Sequence, residues 1–508
     1  MTETPAFSAD ELDRCARFAR HVDRPSAIAA AGWLAIYLLV VVTGQNFDTS
    51  YLGFGWQLIP WDILSSDPIR SVWYLHVQPP GWNLLLGGLA KVSPFTDAIT
   101  LQVLMATFGV AVAYLACRLA RRLGLSPRAA IVIALVATAH PEVLKGAFEP
   151  NYELAVAALL LAALVAVARL ADERSVRRAF VWVSVLLTSL VMTRSLYHPL
   201  FLVAILLIVA VAHRTRVDRR TVAAAFAIPL VLVGGWMLKN EVLFGTPTLS
   251  SWFGMNLQRA VIPVLPLEQL EEMHDKGEVS DVAMIGPFGN YGLYEPVMEP
   301  CTPKHSHRSL VEPMRTTDPY SPNFNYECFL PVFDRAGSDA WAVIKAHPGA
   351  WWKGRMWSLR TTVAVSNMPS ESDSWVMRGL DDVYSVARVD YSGVLSTEGW
   401  GTPIYGRLEA PTDFALTLVA IYGLSVLLGV DAAVRWIRRR SVTSVELLRL
   451  LVAFAVLFTV VVGAVAELGE QARFRTVTDP IAVVTVLGWL WESVTRWRAQ
   501  RQALTVGR

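Results

Sequence analysis

Acidic and basic side chains gather at one end of the apolar segments of this 508-residue sequence, whereas the middle of those segments is free of charge. Ionisable groups are costly inside a bilayer, so their depth along a span is an informative functional signal. The set comprises Asp48, Asp62, Asp67, His76, Glu142, Glu149, Glu153, Arg194, His198, Lys239, Glu467, Glu470, Arg473, Arg475 and Asp479. Because a guanidinium can bind a phosphate through two parallel hydrogen bonds, the arginines predict anion binding, and the whole set predicts a shared polar site.

The composition indicates a membrane protein. Hydrophobic residues make up 54% of the sequence and charged residues 17%, and the mean hydropathy is +0.40, which excludes a single soluble domain. An uncharged helix of about 20 residues crosses a hydrocarbon layer about 30 Å thick. We therefore predict an all-α polytopic membrane protein with about ten spans. These cover residues 27–43, 98–118, 127–141, 152–170, 178–193, 196–212, 221–238, 413–436, 447–466 and 477–494.

Arginine clusters fall on alternate connections between these spans. Such clusters accumulate on the cytoplasmic side of membrane proteins. They begin at Arg14, Arg118, Arg169, Arg214, Arg435 and Arg496. The alternation predicts a plasma-membrane protein with both termini in the cytoplasm. It also makes the short apolar stretch 81–89 an interfacial or re-entrant helix rather than a span.

The predicted organisation has two membrane modules separated by one large extracytoplasmic insertion. About 26 polar residues precede the first span, so we expect that span to be retained rather than cleaved as a signal peptide. Within the insertion we predict a short polar helix at 267–276, an otherwise irregular core, and a tryptophan-rich amphipathic helix at 340–360 lying at the membrane interface. The segments are a cytoplasmic N-terminus (1–26), a seven-span module (27–238) with a first exterior loop (44–97), an extracytoplasmic domain (239–412), a three-span module (413–494) and a cytoplasmic tail (495–508).

Several functional classes are disfavoured by the sequence. The net charge of +2 and the lack of a basic face give no indication of nucleic-acid binding. A transporter would place polar positions near the bilayer midplane and show two related halves, and a channel would show a filter signature. The sequence has none of these features. The exterior polar residues together with the exterior insertion favour an enzyme that acts on lipid-borne or cell-surface substrates.

Four exterior segments resemble motifs of the GT-C superfamily, integral-membrane glycosyltransferases that use polyprenyl-phosphate sugars. They lie in the order and on the side that the superfamily places them, at both ends of the spanning region. One departure is the first loop, where the acidic pair expected beside the first span is reduced to the single carboxylate of Asp48. The four segments are YLHVQPPGWN (74–83), HPEVLKGAFEPNY (140–152), KNEVLFGTPTLSS (239–251) and EQARFRTVTDP (470–480).

The resemblance implies a bacterial cell-envelope enzyme that transfers a monosaccharide from a polyprenyl-phosphate donor to a lipid, glycan or protein hydroxyl with inversion. Such transfer needs a carboxylate base, with Asp48 as first choice, Asp62 in reserve and Glu149 also catalytic. It also needs cations on the leaving phosphate. The predicted donor phosphate-binding residues are Arg194, His198, Arg473 and Arg475. The predicted substrate-positioning residues are His76, Gln78, Lys239, Asn240 and Glu470.

No cofactor is predicted. His305 and His307 lie near Cys301, but they do not complete a tetrahedral ligand set. A divalent cation at Asp48 and Glu149 stays an alternative that nothing in the sequence supports. Cys301 and Cys328 both fall in the exterior insertion, where they form either a disulfide or two unpaired thiols.

Two other functions stay open. One is a transporter or flippase of lipid-linked sugars, and the other is a non-catalytic assembly or adhesion protein that displays its exterior domain. Single site residues also have ordinary roles. Asp48 fits a turn carboxylate, and Arg473 and Arg475 fit cations that reach towards lipid headgroups. The sugar and the acceptor are not encoded in any motif that we recognise.

Overall fold

The chain is an α-helical multi-pass membrane protein. The computed structural model describes residues 23–170, 176–316, 318, 320–363, 373–388, 390–391, 414–468 and 471–506. Within these residues the strands are two short segments, β1 (Asp390–Tyr391) and β2 (Phe414–Ala415), which pair antiparallel.

The first half of the chain forms thirteen of the described helices. They are α1 (Arg24–Val42), α2 (Tyr51–Phe54), α3 (Trp61–Ser66), α4 (Pro68–Trp73), α5 (Gly81–Val92), α6 (Asp97–Arg122), α7 (Pro127–Thr138), α8 (Pro141–Lys145), α9 (Glu153–Arg169), α10 (Val176–Thr193), α11 (Pro199–Ala212), α12 (Arg219–Pro229) and α13 (Gly235–Phe244). A π-helical turn, Leu230–Gly234, joins α12 to α13 directly after Pro229.

The second half adds the insertion and the last three long helices. They are α14 (Phe253–Val261), α15 (Leu267–Asp275), α16 (Asp281–Ile285), α17 (Tyr291–Tyr294), α18 (Arg308–Val311), α19 (Phe329–Ala346), α20 (Pro348–Val363), α21 (Trp375–Arg388), α22 (Leu416–Arg439), α23 (Ser444–Ala466) and α24 (Gln471–Val506). Short 3-10 turns follow α14 at Ile262–Val264 and α17 at Glu295–Val297.

Every predicted span coincides with a helix. In the described part of the chain, seven helices are long and apolar enough to cross a membrane. They are Arg24–Val42, Asp97–Arg122, Val176–Thr193, Arg219–Phe244, Leu416–Arg439, Ser444–Ala466 and Arg473–Gln502. The helices at the other three predicted spans, α7, α9 and α11, are shorter, with 12, 17 and 14 residues. The helix α7 ends three residues before its predicted end, at Thr138, and α11 begins three residues after its predicted start, at Pro199.

Local sequence explains where several of these helices begin. Proline at the first position suits a helix start because its missing N–H would have had no partner there. Pro127 and Pro199 begin α7 and α11 in this way. At α23, Thr443 and Glu446 form a capping box in which each side chain bonds the other's backbone N–H.

The bundle core is built around α9, whose residues are buried on nearly all sides. This helix packs against α6, α10, α23 and α24, while α1 packs against α6 and α7. The helices α1 and α6 pack tightly at Gly109, where a β-carbon would collide with the indole of Trp33. The core therefore places the start of α9 beside the start of α24.

The insertion is more helical than predicted. The helix expected at 267–276 is present as α15, but the irregular core is replaced by packed helices with a second hydrophobic cluster. The single amphipathic helix expected at 340–360 is instead two helices, α19 and α20, because the chain breaks at His347 before Pro348. The helix α20 packs on α14, α23 and α24, so it seats the insertion on the bundle.

Candidate functional site

One cavity brings together Arg194 and Arg473, two of the arginines at the predicted outer ends of the helices. It has a volume of about 570 Å³ and lies where α11, α13, α14, α23 and the start of α24 meet. Its polar lining residues are Gln57, Gln78, Arg194, Ser195, His198, Thr248, Ser250, Asn256, Glu467 and Arg473, and its aromatic ones are Tyr152, Trp252, Phe253, Phe458 and Phe474. Most of the exposed wall is apolar, with Leu200, Met237 and Val462 among its residues.

Arg194 follows α10 directly and begins a five-residue turn into α11. Its N–H donates to the Leu190 carbonyl, and its own carbonyl accepts from the Tyr197 N–H. Tyr197 is fully buried, and its hydroxyl lies 3.2 Å from the Thr459 hydroxyl on α23. The turn is thereby fixed against α23, and the Arg194 side chain is only 2% exposed.

Within the described residues, neither terminal nitrogen of the Arg194 guanidinium has a hydrogen-bond partner. The guanidinium forms an ion pair with Glu153, whose Oε1 lies 3.6 Å from one of those nitrogens. The guanidinium stacks between the rings of Tyr152 and Phe474, at 5.0 and 4.8 Å from their centres. Because a buried cation with unmet donors is costly, the arrangement suits an incoming anion.

Arg473 is the second cation on the cavity wall. Its Nε donates to Glu153 Oε1 over 2.7 Å, and a terminal nitrogen donates to the Tyr152 hydroxyl over 3.1 Å. Glu153 begins α9, where the helix dipole favours a negative charge, whereas a cation at the start of α24 gains nothing from the dipole. Glu153 therefore offsets part of the positive charge of both arginines. The trio of Arg194, Arg473 and Glu153 carries one net positive charge.

The Glu149 carboxylate lies near Glu153 and Arg473, and Asp48 lies near Glu149. The Asp48 N–H donates to the Phe148 carbonyl over 2.8 Å, which brings the first exterior loop against the segment that holds Glu149. Burial raises the pKa of the Glu149 carboxyl, and the negative charges of Glu153 and Asp48 raise it further against the opposing effect of Arg473. The Asp48 carboxylate is exposed and accepts from the Ser50 N–H.

None of the three predicted catalytic carboxylates is among the residues that line the cavity. Asp48 makes the local turn contact that its sequence also suggested. Asp62 pairs with Arg308 of the insertion over 3.0 Å. Glu149 interacts electrostatically with Arg473, which does line the cavity.

Arg475 does not line the cavity, although it is two residues from Arg473. It is 1% exposed and makes ion pairs with Glu142 and Asp479, and a terminal nitrogen donates to the Thr362 carbonyl of α20. The Asp479 carboxylate also accepts from the Tyr422 hydroxyl over 2.8 Å. This buried cluster ties α8, α20, α22 and α24 together.

The predicted positioning residues divide into two groups. Gln78 and the predicted phosphate ligand His198 line the cavity, and His198 Nδ1 also caps α11 by accepting from the Leu200 N–H. Lys239 instead donates to the carbonyls of Trp73 and Leu75, so its ammonium ties the first loop to α13.

His76 and Asn240 likewise hold the structure together outside the cavity lining. The His76 ring is fully buried and contacts the Ser251 hydroxyl at 2.7 Å and the Asn325 carbonyl at 3.1 Å. Burial lowers the pKa of His76 to about 3, so the ring is neutral at ordinary pH. Asn240 donates to the Thr248 carbonyl over 2.6 Å.

Two other predictions concern residues of the outer segments. Cys301 and Cys328 are joined by a disulfide with 5.8 Å between their α-carbons. Glu470 lies outside the residues that the structure describes. Within the part of the chain that is described, no group of three or more His, Cys, Asp or Glu side chains is arranged to hold a metal ion.

Three residues that the structure places at the site had no specific role in the sequence-based prediction: Tyr152, Glu153 and Glu467. Both glutamates belong to the outer-end ionisable set, so a signal was present. Glu153 follows Glu149 by four residues, but α9 begins only at Glu153, so helix periodicity does not relate the two side chains. The tertiary contact with Arg473 is what distinguishes Glu153.

Comparisons with known proteins find remote structural likeness. No protein-family model matches the chain, and comparison with curated proteins gives no match. The archaeal oligosaccharyltransferase AglB from Archaeoglobus fulgidus, in complex with an inhibitory peptide and a dolichol-phosphate, is similar with a TM-score of 0.40 and 13% identity. That match covers 93% of this chain and 52% of AglB.

Two further solved structures are similar at the same level. The Archaeoglobus fulgidus oligosaccharyltransferase tethered with an acceptor peptide has a TM-score of 0.36 and 12% identity, with 94% of this chain and 51% of that chain covered. ArnT from Cupriavidus metallidurans bound to undecaprenyl phosphate has a TM-score of 0.35 and 15% identity, and the match covers 88% of this chain and 77% of ArnT. This chain spans about half the length of the two oligosaccharyltransferase chains. Likeness at this level does not define what a chain binds, so we infer the function from the cavity.

Proposed function

We propose that this protein is a membrane glycosyltransferase of the GT-C type, which moves a monosaccharide from a polyprenyl-phosphate donor to a hydroxyl acceptor. The observation that carries the proposal is Arg194. Its guanidinium is buried, makes no hydrogen bond from either terminal nitrogen to the residues that the structure describes, and lies on the wall of a cavity large enough for a sugar phosphate. The four GT-C-like motifs give the proposed family.

The cavity favours a phosphate that carries a long apolar chain. Arg194 and Arg473 supply the charge, and the planar guanidinium of each matches phosphate oxygens. The apolar wall is formed by side chains of membrane helices, among them Leu200 of α11, Met237 of α13 and Val462 of α23. A soluble nucleotide sugar would gain nothing from this wall, whereas a lipid-linked donor would bury its first prenyl units there.

The charge of the trio suits the transfer step. A polyprenyl-phosphate sugar is a phosphodiester with one negative charge, and the bond that breaks leaves a second negative charge on the phosphate. Arg194, Arg473 and Glu153 together carry one net positive charge. Their attraction for the phosphate therefore increases as the sugar bond breaks, which stabilises the transition state more than the bound donor.

The proposed reaction is a single displacement with inversion at the anomeric carbon. The acceptor hydroxyl attacks from the face opposite the phosphate, and the sugar passes through an oxocarbenium-like transition state. The acceptor is a lipid, glycan or protein hydroxyl. We further propose that the cavity faces the extracytoplasmic side and that both termini are cytoplasmic, because the arginine-rich connections lie at the other end of the helices.

The test is transfer by the purified full-length protein in lipid nanodiscs. A panel of radiolabelled synthetic polyprenyl-phosphate monosaccharides is offered with membrane extract as the acceptor source, beside Arg194→Gln and the matched control Arg335→Gln, which changes an exposed arginine of α19. Label should enter a lipid or polymer product, and Arg194→Gln alone should lose it. If no donor gives product while labelled head groups cross the bilayer of proteoliposomes, the transporter alternative replaces the proposal.

A further inference from the structure

The cavity contains a carboxylate that the proposed phosphate chemistry does not use. Among the described residues that line it, Glu467 is the one with an acidic side chain. Glu467 follows α23 directly, and its backbone leaves the helix in an extended conformation with φ −143° and ψ 158°. Its side chain is 11% exposed, so a bound substrate would shield it from most solvent.

The position of Glu467 is fixed by both the bundle and the insertion. Its N–H donates to the Gly463 carbonyl, and its Oε1 accepts from the Leu468 N–H over 3.1 Å. Its carbonyl accepts from the Ser358 hydroxyl of α20 over 2.9 Å. These contacts hold the carboxylate at the cavity wall, as a group that transfers a proton must be held.

A cation lies beside this carboxylate. Arg259 of α14 places a guanidinium nitrogen 3.5 Å from Glu467 Oε1. An adjacent cation favours the ionised form of a carboxyl group, which is the form that can accept a proton. Asn256, one turn earlier on α14, lines the same cavity and supplies an amide that can orient a hydroxyl group.

We propose that Glu467 is the general base of the transfer and that the acceptor hydroxyl lies between Glu467 and Asn256, on the insertion side of the cavity. This inference rests on the proposed function. In the step, the acceptor oxygen forms a bond to the anomeric carbon while the bond from that carbon to the phosphate oxygen breaks. The electron pair leaves with polyprenyl phosphate, and the hydroxyl proton passes to the Glu467 carboxylate.

The geometry favours Glu467 over the carboxylates that the sequence predicted. Asp48, Asp62 and Glu149 do not line the cavity, whereas Glu467 does. A base must reach the proton that it removes, directly or through one water, so a carboxylate on the wall is better placed.

The test separates proton removal from the rest of the reaction. Azide is a nucleophile with no proton to lose, so it can take the sugar from the donor without a base. Glu467→Gln, Asp48→Asn and the matched exposed control Glu271→Gln are compared in nanodiscs. Each is assayed with a donor that the wild-type protein uses, once with the hydroxyl acceptor and once with azide.

The expected result is a loss of at least about 100-fold in transfer to the hydroxyl for Glu467→Gln. Formation of the glycosyl azide and binding of radiolabelled donor should stay within about twofold of wild type. Loss of the azide reaction and of donor binding as well would make Glu467 a structural residue and overturn the inference. So would a hydroxyl-specific loss confined to Asp48→Asn. Either result leaves the glycosyltransferase itself standing, whereas the lack of any transfer by the wild-type protein would refute the proposed function.

Discussion

Arg473 donates from Nε to Oε1 of Glu153 over 2.7 Å, although 320 residues separate the two in the chain. The contact joins the start of the last long helix to the start of the most buried helix of the bundle. The same oxygen lies 3.6 Å from Arg194. One carboxylate thus orients two cations towards a single cavity, and this relationship underlies the proposed function.

Arg194 is expected to act on the donor more than on the fold. Its terminal nitrogens make no hydrogen bond within the described protein, although Glu153 Oε1 lies 3.6 Å from one of them, so Arg194→Gln should lower the melting temperature less than Arg475→Met does. The kcat/KM for the donor should fall at least about tenfold, the loss expected from one charged hydrogen bond of about 1.5 to 3 kcal/mol. Arg194→Lys keeps the charge but lacks the planar guanidinium, so its kinetic constant for the donor should lie between those of the wild type and Arg194→Gln. Steady-state kinetics and thermal unfolding in detergent measure both quantities.

The pairing of Glu153 with Arg473 can be measured by a double-mutant cycle. Glu153→Gln and Arg473→Gln should each reduce transfer, and the double variant should lose little more than the worse single one, because both changes remove the same contact. We expect a coupling free energy of about 1 to 3 kcal/mol from kcat/KM. Additive losses would mean that the two side chains act separately.

Arg475 is expected to matter for stability rather than for the donor. Its charge is buried against Glu142 and Asp479, and breaking such a pair costs about 3 to 5 kcal/mol. Arg475→Met should therefore lower the melting temperature strongly, while the folded fraction keeps the donor KM of the wild type. A raised KM at unchanged stability would restore the phosphate-binding role that the sequence predicted.

The ionisation of Glu149 should lower the free energy of unfolding as the pH rises above 4.5. Its pKa is raised from the ordinary 4.5, so the folded protein binds the proton more tightly than the unfolded chain. The stabilisation is complete below pH 4.5 and is lost as the pH rises through the higher folded pKa. Glu149→Gln should thus have a higher melting temperature than wild type at pH 7, and the difference should shrink in acid. If the difference in melting temperature between Glu149→Gln and the wild type did not change with pH, the argument from the burial of Glu149 would be contradicted. Glu271→Gln serves as the exposed control.

The disulfide between Cys301 and Cys328 should stabilise the insertion. It closes a sequence separation of 27 residues, for which loop-closure entropy gives about 3 to 4 kcal/mol. The double variant Cys301→Ser and Cys328→Ser should unfold at a lower denaturant concentration than the oxidised wild type. Mass spectrometry after alkylation, with and without prior reduction, checks the pairing, and labelling of both thiols before reduction would favour the unpaired alternative.

Much of the fold was predictable because span formation is a local property. An uncharged stretch of sufficient length must satisfy its backbone hydrogen bonds internally in lipid, so it forms a helix wherever it occurs. Each predicted span indeed coincides with a helix. The insertion was predicted poorly because its helices are short and are stabilised by mutual packing, as between α14 and α19, which a linear sequence does not display.

The sequence predicted a set of residues for the candidate site, but not how their side chains are placed relative to one another. The sequence determined that this chain spans a membrane and that ionisable groups gather at one end of its spans, because hydropathy and charge are carried by single residues. It treated Arg473 and Arg475 alike. Only the tertiary structure distinguished them. Two side chains that are two residues apart on a helix point in directions that differ by about 200°. Arg473 therefore lies on the cavity wall, whereas Arg475 lies in a buried ion cluster. The same packing brought Glu153 to Arg473 and placed Glu467, rather than Asp48, on the cavity wall.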